Sequence, residues 1–392
     1  MLFVLEEGIM FKKRCLALFM AICSVLLLAG CSTAPAPPPP SITPATTVPQ
    51  ITDTPPATQT PVPMPLSQTG PYFVGKRMYT LEDEGQKLEI TVWYPAIKPE
   101  GYPGSVASKA APDTSGAPYP LLLSSTTIGN YFSPHLASHG FVATGVNGQR
   151  PSDAWGAWLV DYPRETVFML NQISKTKLEG LEGMIDAEHA GALGYSFDGY
   201  NTLALGGARV DPEFYRAQCA QAAQREPPLE EWYIKYYCAA AEDWEAFVAA
   251  AGDIATNDTD GLWQPMTDPR IRAVMPMAPE GAMLFGEKGL AEVDRPMLLI
   301  GATEDKGFMS CPYDLEAVYI YNHVKAQDRA MISFIGQRHL MIWDQEPKAR
   351  MRHFATAFFG YHLQGRAEYA DYFSPEFVSQ YSDLAWGAYT EK

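Results

Sequence analysis

The chain has 392 residues, a formal charge of −16 and an isoelectric point near 4.9. That balance argues against a nucleic-acid partner, because phosphate contacts need clustered Lys and Arg. Charged residues make up only 19 % and aromatics 12 %, the composition of a large packed domain rather than of a disordered or coiled-coil chain.

The first segment reads as an address. Lys12, Lys13 and Arg14 precede the apolar run "LALFMAICSVLLLAG", which ends at Gly30 and Cys31. A short apolar run closed by small residues reads as a secretory signal over residues 1–30. It resembles a bacterial lipoprotein signal, which implies lipidation of Cys31, export, and a membrane partner through the lipid anchor. An uncleaved membrane anchor is the alternative. Residues 31–70 follow as a linker, with twelve prolines among residues 32–70 and almost no charge. Such a segment cannot bury a core and should be an extended stalk, reaching up to about 100 Å at roughly 3.1 Å per residue.

A globular domain is expected over residues 71–392. "FVGKRMYT" (73–80) and "KLEITVWYPA" (87–96) alternate and read as paired antiparallel strands. "YPLLLSS" (119–125) is a continuous apolar run, as in a strand buried on both faces. A helix over 131–140, a strand over 141–147 and a helix over 164–175 come next. "HAGALGYS" (189–196) is strand again, and 197–208 is helix. Further strands are read at 271–280, 295–305 and 329–336, and further helices at 311–324 and 346–363. Strands alternating with helices give an α/β fold with a mostly parallel sheet covered on both faces.

Residues 209–268 break this alternation. They are Ala-rich and helical, and they carry Cys219 and Cys238. An insert between two strands of an open α/β sheet lies over the edge where ligands bind, so it reads as a lid. A helical decoration away from the site is the other reading. In an oxidising compartment Cys219–Cys238 is the economical disulfide, leaving Cys311 free, though another pairing stays open.

Ser196 sits in "GYSFDG", a strand–turn–helix passage. A serine hydroxyl is a weak nucleophile unless a base, an orienting carboxylate and oxyanion donors surround it. In the nucleophile elbow of α/β-hydrolases the glycine stands two residues after the serine, and the partners follow as acid, then histidine. Here Asp198 takes the glycine's place and Gly199 comes one later. Of the seven histidines, His339 alone is both downstream of Ser196 and at a strand's carboxyl end. His135, His139 and His189 precede the serine; His323, His353 and His362 lie on helices. For the acid, Asp305 ends one strand, with Glu304 beside it, and Glu280 ends the preceding strand in "MAPEG" as an alternative acid. Oxyanion donors would be the backbone N–H of Phe197 and, from the loop "SSTTIGN" (124–130), that of Ile128.

At these residues the chain resembles the platelet-activating-factor acetylhydrolases and bacterial predicted dienelactone hydrolases of the α/β-hydrolase superfamily. The likeness runs from about Val74 to Leu363, through "ITVWYPA", "HLASHGFVA", "GYSFDGYNTLAL", "DPRIRAVMPMAPEG" and "RPMLLIGATED". It implies ester hydrolysis by Ser196, Asp305 and His339, with Ile128 and Phe197 at the oxyanion hole and no metal or other cofactor. Small-molecule or lipid esters would be the substrates. The family's Ser-His-Gly before the oxyanion residue is replaced by Ser125-Thr126-Thr127. That departure, with Asp198, motivates two other readings: a silent hydrolase acting as a surface binding protein, or a cutinase- or polyester-hydrolase-like esterase.

Overall fold

A ten-stranded sheet organises the molecule, in the order β10-β9-β8-β7-β6-β4-β5-β2-β1-β3. Its strands are β1 (Phe73–Asp83), β2 (Gln86–Ala96), β3 (Val106–Ser108), β4 (Tyr119–Ser125), β5 (Val142–Val146), β6 (Ile185–Tyr195), β7 (Ile271–Met277), β8 (Met297–Ala302), β9 (Arg329–Phe334) and β10 (Leu384–Trp386). The computed structural model describes residues 64–147, 156–225, 229–256, 259–307 and 310–390. The expected signal and Cys31 lie outside the described residues. Those described belong to the compact unit Thr60–Lys392, and among them no helix is long and apolar enough to cross a membrane.

From β5 to β9 all neighbours pair in parallel. β1 and β2 pair antiparallel and join through β2 to β5, as the alternating sequence led one to expect. The crossovers are helical: α1 (Thr126–Ser138), α2 (Trp158–Lys175), α3 (Phe197–Leu205), the insert, α8 (Ala282–Leu290) and α9 (Tyr319–His323). α10 (Gln345–Gln364) and α11 (Pro375–Val378) follow β9. The fold is therefore α/β, with a mostly parallel sheet flanked by helices.

The pleat divides the core. Leu122 and Leu193 face α1 and α10, packing with Phe132, Leu136, Phe354 and Phe358. Leu121, Leu123 and Ala192 face the other way, towards α2 and α3. The continuous apolar run of β4 is thus explained by burial on both sides. β4 lies between β5 and β6, so the crossovers leave it in opposite directions. This reversal opens a crevice at the carboxyl ends of β4 and β6, where open α/β sheets bind ligands.

The insert holds four short helices: α4 (Pro212–Gln221), α5 (Glu231–Tyr237), α6 (Ala239–Glu242) and α7 (Trp244–Ala251). Cys219 and Cys238 are joined by a disulfide, the pairing favoured from the sequence. Trp244, Phe247 and Trp263 pack with ring centres 5.1–5.6 Å apart. Arg209 roots the insert, donating to Trp263 O and to Asp260, each at 2.7 Å.

Three boundaries differ from expectation. The domain starts before residue 71: Met64 and Leu66 are buried, and two histidines hold the Leu66 backbone. Helix α1 starts at Thr126 rather than near residue 131, because Ser125 caps it, its Oγ accepting from Ile128 N–H at 3.2 Å. Residues 311–324 are not one helix; a π-helical turn over Asp314–Val318 precedes α9.

Candidate active site

The turn between β6 and α3 holds Ser196 at φ 59°, ψ −123°, a conformation that costs a non-glycine residue about 1–3 kcal/mol. It is kept because both sides are fixed. Ser196 N–H donates to Met277 O of β7 at 2.9 Å, and its carbonyl accepts from Gly199 N–H at 2.8 Å. Two glycines make the turn fit. A Cβ on Gly194 would meet Asp198 O at 2.0 Å, and one on Gly199 would meet Pro279 Cα at 2.8 Å. The glycine one place later than expected therefore answers a real clearance, against the chain leaving β7.

Asp198 is buried and accepts a hydrogen bond from the hydroxyl of Ser125, at the end of β4. Ser125 Oγ in turn accepts from Ile128 N–H. This corrects the sequence expectation for Ile128: its N–H lies inside the first turn of α1 and serves the helix cap. Phe197 does occupy the position expected of it, as the first residue of α3, whose N-terminal dipole faces the crevice.

Ser196, His339 and Asp305 come together. Ser196 Oγ lies 2.9 Å from His339 Nε2, and His339 Nδ1 lies 2.7 Å from Asp305 Oδ2. His339 opens the short 3-10 turn His339–Trp343 after β9, and Asp305 follows β8. The Asp305 bond makes Nδ1 the protonated nitrogen, leaving Nε2 as an acceptor aimed at the serine. Asp305 is 2 % exposed, and its other oxygen accepts from Cys311 N–H at 2.9 Å. Burial pushes its carboxyl above the ordinary aspartate range, while the His339 bond opposes that shift. Tyr195 steadies the loop from below by donating to His339 O.

Glu280 does not take the place of the triad acid. It faces the serine instead, with Oε1 3.2 Å from Ser196 Oγ. Ala278, at φ 39°, bends the end of β7 and brings Glu280 inward. Glu304, by contrast, pairs with Lys306 at 2.5 Å at the surface. The other histidines do other work. His135, His139 and His353 bind backbone groups of residues 66–68, His189 pairs with Asp186, His323 bonds Tyr319 O, and His362 lies 3.6 Å from Asp328.

Several site neighbours went unforeseen. Cys311 Sγ lies 3.7 Å from Ser196 Oγ and 3.9 Å from His339 Nε2; burial pushes its thiol well up, so it stays protonated. Glu316, fully buried, accepts from Tyr233 OH and from Ala282 N–H, each at 2.9 Å. Burial pushes its carboxyl up to about 8. Burial and the neighbouring Glu280 push the Tyr236 hydroxyl up, so α5 of the insert bonds one buried acid and lies close to the other. Nothing in the local sequence of α5 beyond its run of tyrosines, "EWYIKYY", signals this.

A scan against models of known protein families matched none, and no curated protein matches the chain.

Proposed function

We propose that the chain is a serine hydrolase of carboxylic esters, built on an α/β-hydrolase fold with residues 209–268 as its lid. The single observation that carries this reading is the continuous Ser196–His339–Asp305 contact chain, with distances of 2.9 and 2.7 Å, on a strained turn at a strand's carboxyl end. Ser196 Oγ attacks the ester carbonyl, and its proton passes to His339 Nε2 while the carbonyl electron pair moves onto oxygen. Asp305 orients His339 and stabilises the imidazolium. Collapse breaks the ester C–O bond, and the leaving alcohol takes the proton from His339. Water then repeats the cycle on the acyl-enzyme. The donor from Phe197 and the amino end of α1 lie on the two sides of the crevice, which supports stabilisation of the oxyanion from helix heads.

Short-acyl lipid or phospholipid esters suit an exported enzyme tethered through Cys31. The test is hydrolysis of p-nitrophenyl acetate and of short-acyl phospholipid by the wild type and Ser196→Ala, with fluorophosphonate labelling. Stoichiometric labelling and a Ser196-dependent rate are expected; equal rates sink the reading. The commitment of Ile128 N–H to its cap favours one other reading, a silent hydrolase that binds at the surface, and failure to label would select it.

A further inference from the structure

Where the insert meets the body of the domain stands a buried carboxyl group that the proposed hydrolysis does not use. Glu316 is fully buried in the π-helical turn Asp314–Val318, closed by the bond from Val318 N–H to Tyr313 O at 2.9 Å. Single π turns cluster at functional sites. Glu316 Oε1 accepts from the hydroxyl of Tyr233 in α5, and Oε2 accepts from Ala282 N–H at the head of α8, each at 2.9 Å. This side chain thus joins the insert, the turn that follows Glu280, and the segment after β8. The same segment returns to the triad, since Cys311 N–H donates to Asp305 Oδ1 at 2.9 Å and Tyr313 N–H to Asp305 O at 3.0 Å.

Held in this way, α5 walls one side of the serine. Tyr237 OH donates to Ser310 O at 3.3 Å, next to Cys311, whose Sγ is 3.7 Å from Ser196 Oγ. Tyr233 and Tyr237 are buried and stack with ring centres 4.1 Å apart. The disulfide to Cys219 holds Cys238, the residue that ends α5. In the proposed cycle the leaving alcohol takes its proton from His339 Nε2 and so lies within reach of it. The acyl chain therefore leaves the serine on another side. We propose that Glu316 is a positioning residue that sets acyl selectivity: it latches α5 against the segment of Cys311 and the turn after Glu280, and the wall so fixed limits the acyl chain an ester can place beside Ser196. This inference rests on the serine-hydrolase reading and gives it a structural reason for short acyl groups.

The residue types suit a latch. A carboxyl group has two oxygens and holds a hydroxyl and an N–H at once. An apolar side chain here would orphan both buried donors. Glutamine keeps the latch, its amide oxygen accepting from Ala282 N–H and its NH₂ donating to the Tyr233 oxygen. Tyr233→Phe removes the insert's half of the latch by deleting one oxygen and leaves the ring stack in place.

The experiment measures kcat/KM at pH 7 for p-nitrophenyl acetate and p-nitrophenyl octanoate, with the full chain as wild type, Glu316→Gln, Glu316→Ala and Tyr233→Phe, together with hydrogen exchange over residues 231–251. Wild type should favour the acetate. Tyr233→Phe and Glu316→Ala should raise the octanoate-to-acetate ratio by about tenfold or more, chiefly through KM for the octanoate, the scale on which pocket size discriminates apolar groups. Both should also speed exchange in α5. Glu316→Gln should hold the wild-type ratio to within about threefold, well inside that scale. A Tyr233→Phe protein with the wild-type ratio overturns the proposal, as does one that loses rate equally on both esters. A wild type as efficient on octanoate as on acetate overturns it too, and so does a Glu316→Gln ratio shifted as far as that of Glu316→Ala. If Glu316→Ala misfolds, Tyr233→Phe and Glu316→Gln still decide. A wild type with no Ser196-dependent hydrolysis of either ester refutes instead the parent reading; the latch is then judged by exchange, and α5 exchanging no faster in Tyr233→Phe than in wild type overturns it.

Discussion

Ser125 and Asp198 meet across the carboxyl ends of β4 and β6, hydroxyl to carboxylate, and the bond fixes the head of α1 to the head of α3. Both side chains are buried. Asp198 therefore braces the crevice wall through Ser125.

Asp198→Asn, which keeps an acceptor for Ser125, should be nearly as stable as wild type. Asp198→Ala should cost about 1–2 kcal/mol by orphaning a buried hydroxyl. Gly199→Ala should cost more than either, because its methyl would enter Pro279 at 2.8 Å from Cα. Denaturant midpoints of the three variants check the order. Asp198→Ala as stable as wild type would show the bond to be idle.

The strain at Ser196 predicts a trade between stability and activity. Ser196→Gly should be more stable than Ser196→Ala by about 1 kcal/mol, since glycine adopts φ 59° at little cost. Both should be unreactive towards fluorophosphonate. Thermal unfolding of the two variants side by side provides the measurement, and equal midpoints would contradict it.

Asp305→Asn should leave the fold intact and lower the rate by about 10⁴-fold, because an amide at that place favours the wrong histidine tautomer. Glu304→Gln, whose partner is a surface lysine, should change the rate by less than threefold. Steady-state kinetics on both variants settle which carboxylate orients His339.

Acid should loosen the start of the domain. Burial lowers His135 to about 3 and His353 to about 4. Their unfolded forms take up a proton near pH 6.5, so the unfolded state binds more protons as pH falls. The stability these neutral rings provide is complete above pH 6.5 and is lost between that pH and about 4 to 3, by on the order of 5 kcal/mol for His135 and 3 kcal/mol for His353. His353 Nδ1 accepts from Leu66 N–H at 3.1 Å and cannot do so once protonated. Hydrogen exchange over residues 64–70 should rise first on acidification, and His353→Gln should flatten the response. Glu316 acts with the opposite sign: raised to about 8, it lowers stability as pH climbs from its unfolded value to about 8, and Glu316→Gln should be the more stable form at pH 8.

Much of this was legible in the sequence because strands buried on both faces announce themselves. The run in β4 and the strand ends at Ser196, Asp305 and His339 put three reactive groups on one edge of one sheet. What escaped depended on single hydrogen bonds. One serine hydroxyl decides that α1 starts at Thr126 and removes Ile128 N–H from the crevice. One backbone angle at Ala278 turns Glu280 from a rival of Asp305 into a neighbour of Ser196. Residues 64–70, "MPLSQTG", run on directly from the proline-rich linker and are too short to show a period, so their two buried apolar side chains do not stand out. β10, at three residues, is too short to carry a pattern.

The last described strand has a bearing on how the molecule is handled. β10 zips onto β9, Ser333 donates to Gly387 O at 2.7 Å, and Tyr389 N–H donates to Tyr313 OH at 2.7 Å. Tyr313 N–H donates to the backbone carbonyl of Asp305 at 3.0 Å, so a two-step tether runs from residue 389 to the backbone of the aspartate behind His339. A purification tag, a surface graft or a pulling force applied at that end acts through a lever on the aspartate.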